Sequence, residues 1–314
     1  MPCGAQYAHR RKKCNTMNKR APAADPLLPS AIAVLAEDLG VKKAKQDTAT
    51  LFGLAVLGGA FVALGGLFAS VTIAGATDYL PYGLTRLLMG VTFSLGLILV
   101  VIAGAQLFTS DTLMVMAWAS GRLKTRRMLR VWTTVWLGNF VGALGTAVLV
   151  FLAGNYNFGH AEVGSTALYL ASAKSRLPPH QAFFLGILCN VLVCLAVWLS
   201  MAAQTTTGKI LAIQFPITAF VATGFEHCVA NMFFVPYGLL IKWWAPTSFW
   251  HTLGIEQETT SIPLGQFAVN LGAVTLGNWV GGALLVGSVY WLIYRREQPS
   301  SSNPPHHTGV SSTD

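Results

Sequence analysis

Apolar positions run in long blocks along this chain, without the short alternation of a water-soluble core. Windows free of Lys, Arg, Asp and Glu cover residues 49–77, 131–161, 177–208 and 259–294, and each exceeds the roughly 20 apolar residues that cross a bilayer as a helix. Two further stretches, 87–121 and 210–241, are each interrupted by one acid, Asp111 and Glu226. The pattern predicts six spans, at about 49–76, 84–118, 130–153, 181–203, 209–242 and 266–294. The first starts too late to be a cleaved secretory signal, and further spans follow it. Ahead of it, residues 27–45 place Ile32, Leu35, Ala36 and Leu39 at helical spacing. This predicts a short amphipathic helix, within 27–48, lying at the cytoplasmic surface of the membrane. The basic residues 1–26 and the Ser/Pro/His-rich residues 298–314 are expected to be disordered tails, with His306 and His307 as tail residues. The expected division is therefore tail, surface helix, a six-span domain over 49–297, and tail.

Composition agrees with the pattern. Of 314 residues, 53% are hydrophobic and 11% charged, against about 25% charged in soluble domains. Disorder is excluded, and a water-soluble enzyme is disfavoured. The net charge of +9 changes meaning once located. Seventeen of the 21 Lys and Arg fall on one side of the six spans: the N-terminal tail, the loop holding Arg122, Lys124, Arg126, Arg127 and Arg130, then Lys209, Arg295 and Arg296. Arg86, Lys174, Arg176 and Lys242 fall on the other, with Asp78, Glu162, Glu256 and Glu258. The positive-inside rule places both termini in the cytoplasm, and the asymmetry removes the reason to expect nucleic-acid binding. Cys3, Cys14, Cys189, Cys194 and Cys228 lack metal-site spacing and read as small buried hydrophobes. No cofactor is expected.

The chain repeats itself. Span 3 carries Gly138-Asn139-Phe140-Val141-Gly142, and span 6 carries Gly277-Asn278-Trp279-Val280-Gly281, small residues suited to close helix packing. Spans 2 and 5 each hold a polar island opened by a glycine: Gly104-Ala105-Gln106-Leu107-Phe108-Thr109-Ser110-Asp111 and Gly224-Phe225-Glu226-His227-Cys228-Val229-Ala230-Asn231. A three-span unit must enter the membrane from opposite sides in its two copies. Two inverted three-helix repeats, about 49–153 and 181–294, with broken helices 2 and 5, are therefore predicted. Interrupted spans at matching positions point to a transport site near the midplane, where half-helix N-termini favour anions.

Ionisable groups inside a membrane are expensive and usually serve a pathway. Here they are Asp111, Glu226 and His227, with Gln106, Thr109, Ser110, Asn190 and Asn231 as polar neighbours. His227 can switch charge near neutral pH and is the prime candidate. Glu226 fits either a direct role or the satisfaction of loosened backbone N–H groups. Asp111 is expected to cap the helix that restarts after the break. Phe93, Leu97, Phe108, Val193 and Phe220 read from pattern alone first as ordinary core residues, with a gate role as the lesser reading. Hydrolase, zinc-protease and nucleotide-binding motifs are missing, as is a pair of Asn-Pro-Ala motifs.

These segments together resemble the formate/nitrite transporters, over roughly residues 26–297. The likeness runs through DPLLPSAIAVLAEDLGVKKAK, GAQLFTSDTL, LGNFVGAL, LGILCNVLVCLAVWLS, GFEHCVANMFFVPYGLLI and LGNWVGGALLVGSVYWLIYRRE, in order, and is greatest to the bacterial formate channels, including APTSFWHTLG after span 5. The resemblance implies an aquaporin-like, all-α protomer in a homopentamer in the bacterial inner membrane. It would pass small monovalent anions (formate, nitrite, acetate, lactate or hydrosulfide), often with a proton. It implies His227 as the central histidine and Leu107, Phe108 and Thr109 as the chamber-lining triplet. Asn190, Glu226 and Asn231 match further polar positions. Phe93, Leu97, Phe108, Val193 and Phe220 match hydrophobic slits, and Lys43 and Lys174 match lysines that attract anions to the two vestibules. Many relatives carry an acid where this chain has Gln106.

A bare anion in an apolar constriction is strongly disfavoured. The expected mechanism concentrates the anion at the vestibules, brings it to His227 and Thr109, and lets it pass as the neutral acid after protonation by His227 or a linked water. A protonated His227 that only stabilises the anion is the less committed version. The competing readings are a pore for water, glycerol or ammonia, and an intramembrane enzyme or scaffold.

Overall fold

A computed structural model describes residues 25–76, 79–257 and 261–296. Most of both tails, with Cys3, Cys14, His306 and His307, and also Asp78 and Glu258, lie outside the described residues. Those described form helices and turns with no strand. In chain order they are α1 (Pro29–Lys45), α2 (Thr48–Ile73), α3 (Tyr82–Gly104), α4 (108–119), α5 (Thr125–Leu152), α6 (Glu162–Arg176), α7 (Pro179–Ala202), α8 (Thr206–Ala222), α9 (Cys228–Trp244), α10 (Thr247–Leu253) and α11 (Leu264–Tyr294).

α2, α3, α5, α7 and α11 are each long and apolar enough to cross a membrane, α9 with α10 makes a bent pair that would be a sixth, and α8 is a shorter apolar helix of 17 residues. Five or, with the bent pair, six apolar spans result, and the helical breaks fall at both polar islands. Asp47 accepts from Thr50 N and starts α2, and Thr205 accepts from Gly208 N and starts α8, so each side chain meets an orphan donor of a first turn. A left-handed glycine sits at each break, Gly104 at φ +86° and Gly224 at φ +79°, a conformation that a Cβ disfavours.

Within each half the first and third spans approach at backbone distance. A Cβ on Gly142 of α5 would lie 1.9 Å from Val56 O of α2, and one on Gly281 of α11 would lie 2.2 Å from Ile187 O of α7. The repeated glycines thus serve close packing, as their sequence suggests. α9 runs through the middle. Residues 228–239 are all buried, packed against α2, α5 and α6.

Two elements differ from expectation. α6 falls between the third and fourth expected spans, where the sequence predicts no element; it buries Val163, Ala167, Leu168, Leu170 and Ala171 against the bundle. α1 does form, but its inward face is Ile32, Ala33, Ala36, Glu37 and Gly40, with Leu35 and Leu39 only half-buried. It packs on α4, α5, α7 and α11 and does not merely rest on a lipid surface. Glu37 fastens it there. Its buried carboxylate accepts from Ser120 Oγ at 2.5 Å, Arg122 Nη1 at 3.1 Å and Arg295 Nε at 2.9 Å, which joins α1 to the α4–α5 loop and the end of α11.

Candidate functional site

The two polar islands are held by matching hydrogen bonds. In the first, Asn139 of α5 accepts from Phe108 N at 2.9 Å and donates to Gln106 O at 2.9 Å and Ala55 O at 2.7 Å. In the second, Asn278 of α11 accepts from Cys228 N at 2.9 Å and donates to Glu226 O at 2.9 Å and Gly186 O at 2.8 Å. Gln106 N donates to Leu54 O and Glu226 N to Leu185 O. One asparagine therefore satisfies backbone groups that the break leaves without helical partners. These two residues were visible in the repeat but read there only as packing. Their signal is a lone amide in an apolar helix, which needs partners.

The matching bonds define equivalent positions across the repeat: Gln106 with Glu226, Leu107 with His227, Phe108 with Cys228. The histidine has no counterpart in the first half, and it meets a side chain two positions further along the other loop. Thr109 Oγ1 and His227 Nε2 are 3.0 Å apart, both buried. His227 Nδ1 accepts from Ala230 N at 3.2 Å and caps α9. In the neutral ring Nε2 therefore carries the hydrogen and donates to Thr109. The Thr109 hydroxyl hydrogen is then left to point at another acceptor. Protonating Nδ1 requires opening the Ala230 cap.

Around this pair the predicted apolar residues converge. Phe93, Leu97, Leu107, Val193, Phe220 and His227 line a space of about 10 Å³ together with Val62 and Ile217, about one water's worth. Phe93 and Phe220 meet edge to face at 5.6 Å, and Phe220 stacks on His227 at 5.9 Å. Beyond these rings a vestibule of about 250 Å³ opens, lined by Arg86, Lys174, Glu226, His227 and Phe234 among others. Phe93 and Phe220 line both spaces and form the partition. Phe108 and Thr109 are buried but line neither; Thr109 reaches the site through its bond to His227.

Asn190 does not face either space. Its Nδ2 donates to Thr109 O at 3.2 Å, Thr112 Oγ1 at 3.2 Å and Asn278 O at 2.6 Å, so it holds Thr109 in place from behind. Glu226 accepts from Lys174 Nζ at 2.9 Å and Asn231 Nδ2 at 2.7 Å, and Asn231 also donates to Asn270 at 2.9 Å. Asn270 and Arg86 were not singled out from the sequence. Arg86 donates to Val221 O and Ala222 O, the carbonyls at the end of α8. Lys43 forms a close ion pair with Asp111. Asp111 is thus not a cap: it lies inside the first turn of α4, whose N-cap Leu107 makes no side-chain cap bond, and its carboxylate turns to the ammonium instead. Groups of His, Cys, Asp and Glu able to hold a metal are missing among the described residues.

Comparison with known proteins agrees with this geometry. The family model "Formate/nitrite transporter" matches residues 30–292. The formate channel FocA of Escherichia coli (strain K12) is 42% identical over 275 residues, covering 87% of this chain and 96% of that protein. The formate channel BtFdhC of Bacillus thuringiensis is 34% identical over 278 residues, 86% of this chain and 96% of its own. Among solved structures, a pentameric formate channel with formate bound superposes at a TM-score of 0.75 with 42% identity, covering 79% of this chain and 97% of that one. An ion channel of the same family superposes at 0.71 with 30% identity, over 84% and 99%. These relatives are channels, not enzymes. The apolar spans, the two clamped breaks and the matched sequence lead to one conclusion: this chain is an integral membrane protein that belongs to the formate/nitrite transporter family.

Proposed function

We propose that this protein is a homopentameric channel of the bacterial inner membrane that passes a small monovalent weak-acid anion, formate first, together with a proton. The observation that carries this reading is the Thr109–His227 pair, of which His227 lines both the vestibule and the otherwise apolar chamber behind the aromatic partition. An anion gains from the N-termini of α4 and α9, which both begin at the breaks. It gains further from the Thr109 hydroxyl. The apolar rings then favour the neutral acid over the anion. For His227 to hand on a proton it first takes one up at Nδ1, releasing the Ala230 cap; the imidazolium then gives its Nε2 proton to the substrate, directly or by water, and returns to a neutral ring. Lys174 with Glu226 and Lys43 with Asp111 stand at the two mouths as paired cations. The termini face the cytoplasm, as the Lys and Arg distribution directs.

The test is formate uptake into proteoliposomes with and without a pH gradient. Acidifying the outside should raise uptake; uptake that ignores the gradient while anion current persists would remove the proton from the mechanism. Replacing His227 by Phe keeps a flat ring but removes both nitrogens and should abolish most uptake. A vesicle-swelling assay with glycerol separates this reading from a neutral-solute pore, which alone predicts swelling.

A further inference from the structure

The repeat assigns a role to Asp111 that the rest of the chain leaves open. Lys43 lies in the last turn of α1, eleven residues before Leu54, whose carbonyl binds the first loop. Lys174 lies in the last turn of α6, eleven residues before Leu185, whose carbonyl binds the second. The two lysines are therefore repeat mates, and each pairs with a buried acid. The acids are not mates. Glu226 corresponds to Gln106, and Asp111, five residues after Gln106, corresponds to Asn231, five residues after Glu226. Each half keeps one acid and one amide beside its lysine, in exchanged places.

We infer that Asp111 is the positioning residue for the pore mouth on the α1 side, holding the Lys43 ammonium as Glu226 holds Lys174 at the other mouth. This inference rests on the transport reading above. Three details fit the exchange. The Gln106 amide has no ammonium to meet and donates to Gln46, three residues past Lys43, at 3.2 Å. Gln106 Oε1 is buried without a donor, the atom that Glu226 offers to Lys174 in the other half. The lysine, 26% exposed, spends one of three N–H donors on Asp111 and keeps others for an entering anion. Asp111 itself is fully desolvated between Lys43 and the Trp132 indole, which donates to its backbone oxygen at 2.9 Å. Its side chain therefore fixes the ammonium relative to Thr109, two residues away on the same helix.

The experiment compares the parent, Asp111→Asn, and Gln106→Glu/Asp111→Asn, which moves the acid to the place it has in the second half. Two readouts are taken on detergent-purified or reconstituted protein. The first is acylation of Lys43 by an amine-reactive reagent, followed by mass spectrometry. The second is the concentration of formate giving half-maximal uptake. Loss of one partner of a buried pair is severe, so D111N should raise Lys43 acylation and the half-saturating concentration by about tenfold each. The double variant should return both to within about threefold of the parent. Lys43 acylation unchanged in D111N, or a double variant that behaves as D111N does, overturns the inference. Should D111N yield no folded protein, recovery of folded pentamer in the double variant supports it, and loss of both refutes it. If the parent moves no formate, the transport reading falls while the acylation comparison still decides the pairing.

Discussion

At the scale of single residues, the site depends on amides more than on charges. Asn278 bonds three backbone groups in a water-free setting, where each orphaned group costs about 1–3 kcal/mol. Asn278→Asp keeps the acceptor for Cys228 N but loses the donors to Gly186 O and Glu226 O. The variant should have a thermal midpoint in detergent several degrees lower and little formate uptake; a melt matching the parent's would dismiss the clamp. Gly282 is equally constrained. A Cβ there would stand 2.1 Å from Thr112 Oγ1 and 2.3 Å from Asn190 Nδ2, so Gly282→Ala should cost about 1–3 kcal/mol and displace the amide behind Thr109. What could be read from sequence here was the list of polar residues in apolar spans. What could not was their partners. Asp111 and Lys43 are 68 positions apart, and no local pattern marks an ion pair across that distance.

At the scale of elements, hydrophobic run length was a sufficient guide to the spans, because a bilayer imposes one length on all of them. It failed at α6. That helix is short, carries charges at both ends, and is stabilised by its docking on α9, a tertiary effect that periodicity underestimates. The inward face of α1 was misjudged for a similar reason. Its central buried residue is Glu37, which a hydrophobic stripe would reject. Burial alone would raise the Glu37 carboxyl, but hydrogen bonds from Arg295, Ser120 and Arg122 outweigh it and hold the group below the usual 4.5. A depressed carboxylate stabilises the fold above its unfolded pKa and loses that contribution as pH falls through the folded value. Glu37→Gln should therefore melt below the parent at neutral pH. The gap should close as pH falls below about 4.5. A gap independent of pH would show that packing, not charge, holds α1 in place.

At the scale of the whole molecule, the inverted repeat was legible because its glycines and asparagines recur in order. The functional asymmetry built on it was only half legible: the two islands already set His227 against Leu107 and exchange acid and amide, but only the ion pairs show which lysine each acid holds. Substrate choice belongs to this scale as well, since the chamber is bounded by residues of both halves. A competition series with formate, nitrite, acetate, lactate and hydrosulfide on one preparation should rank formate and nitrite above the bulkier acetate and lactate, because a space of about 10 Å³ admits little more than a water-sized group. Equal competition by lactate would mean that the partition of Phe93 and Phe220 opens widely.

The two clamps also set an order of assembly. Asn139 follows its loop by about thirty residues, whereas Asn278 lies some fifty beyond Cys228 and belongs to the last of the described helices. During synthesis, which proceeds at about 5–20 residues per second, the first break can be secured while the second still waits for its fastener. The histidine loop is therefore among the final parts to be fixed. A chain that stops before Asn278 lacks the residue that holds the second break, and with it the fixed place of His227.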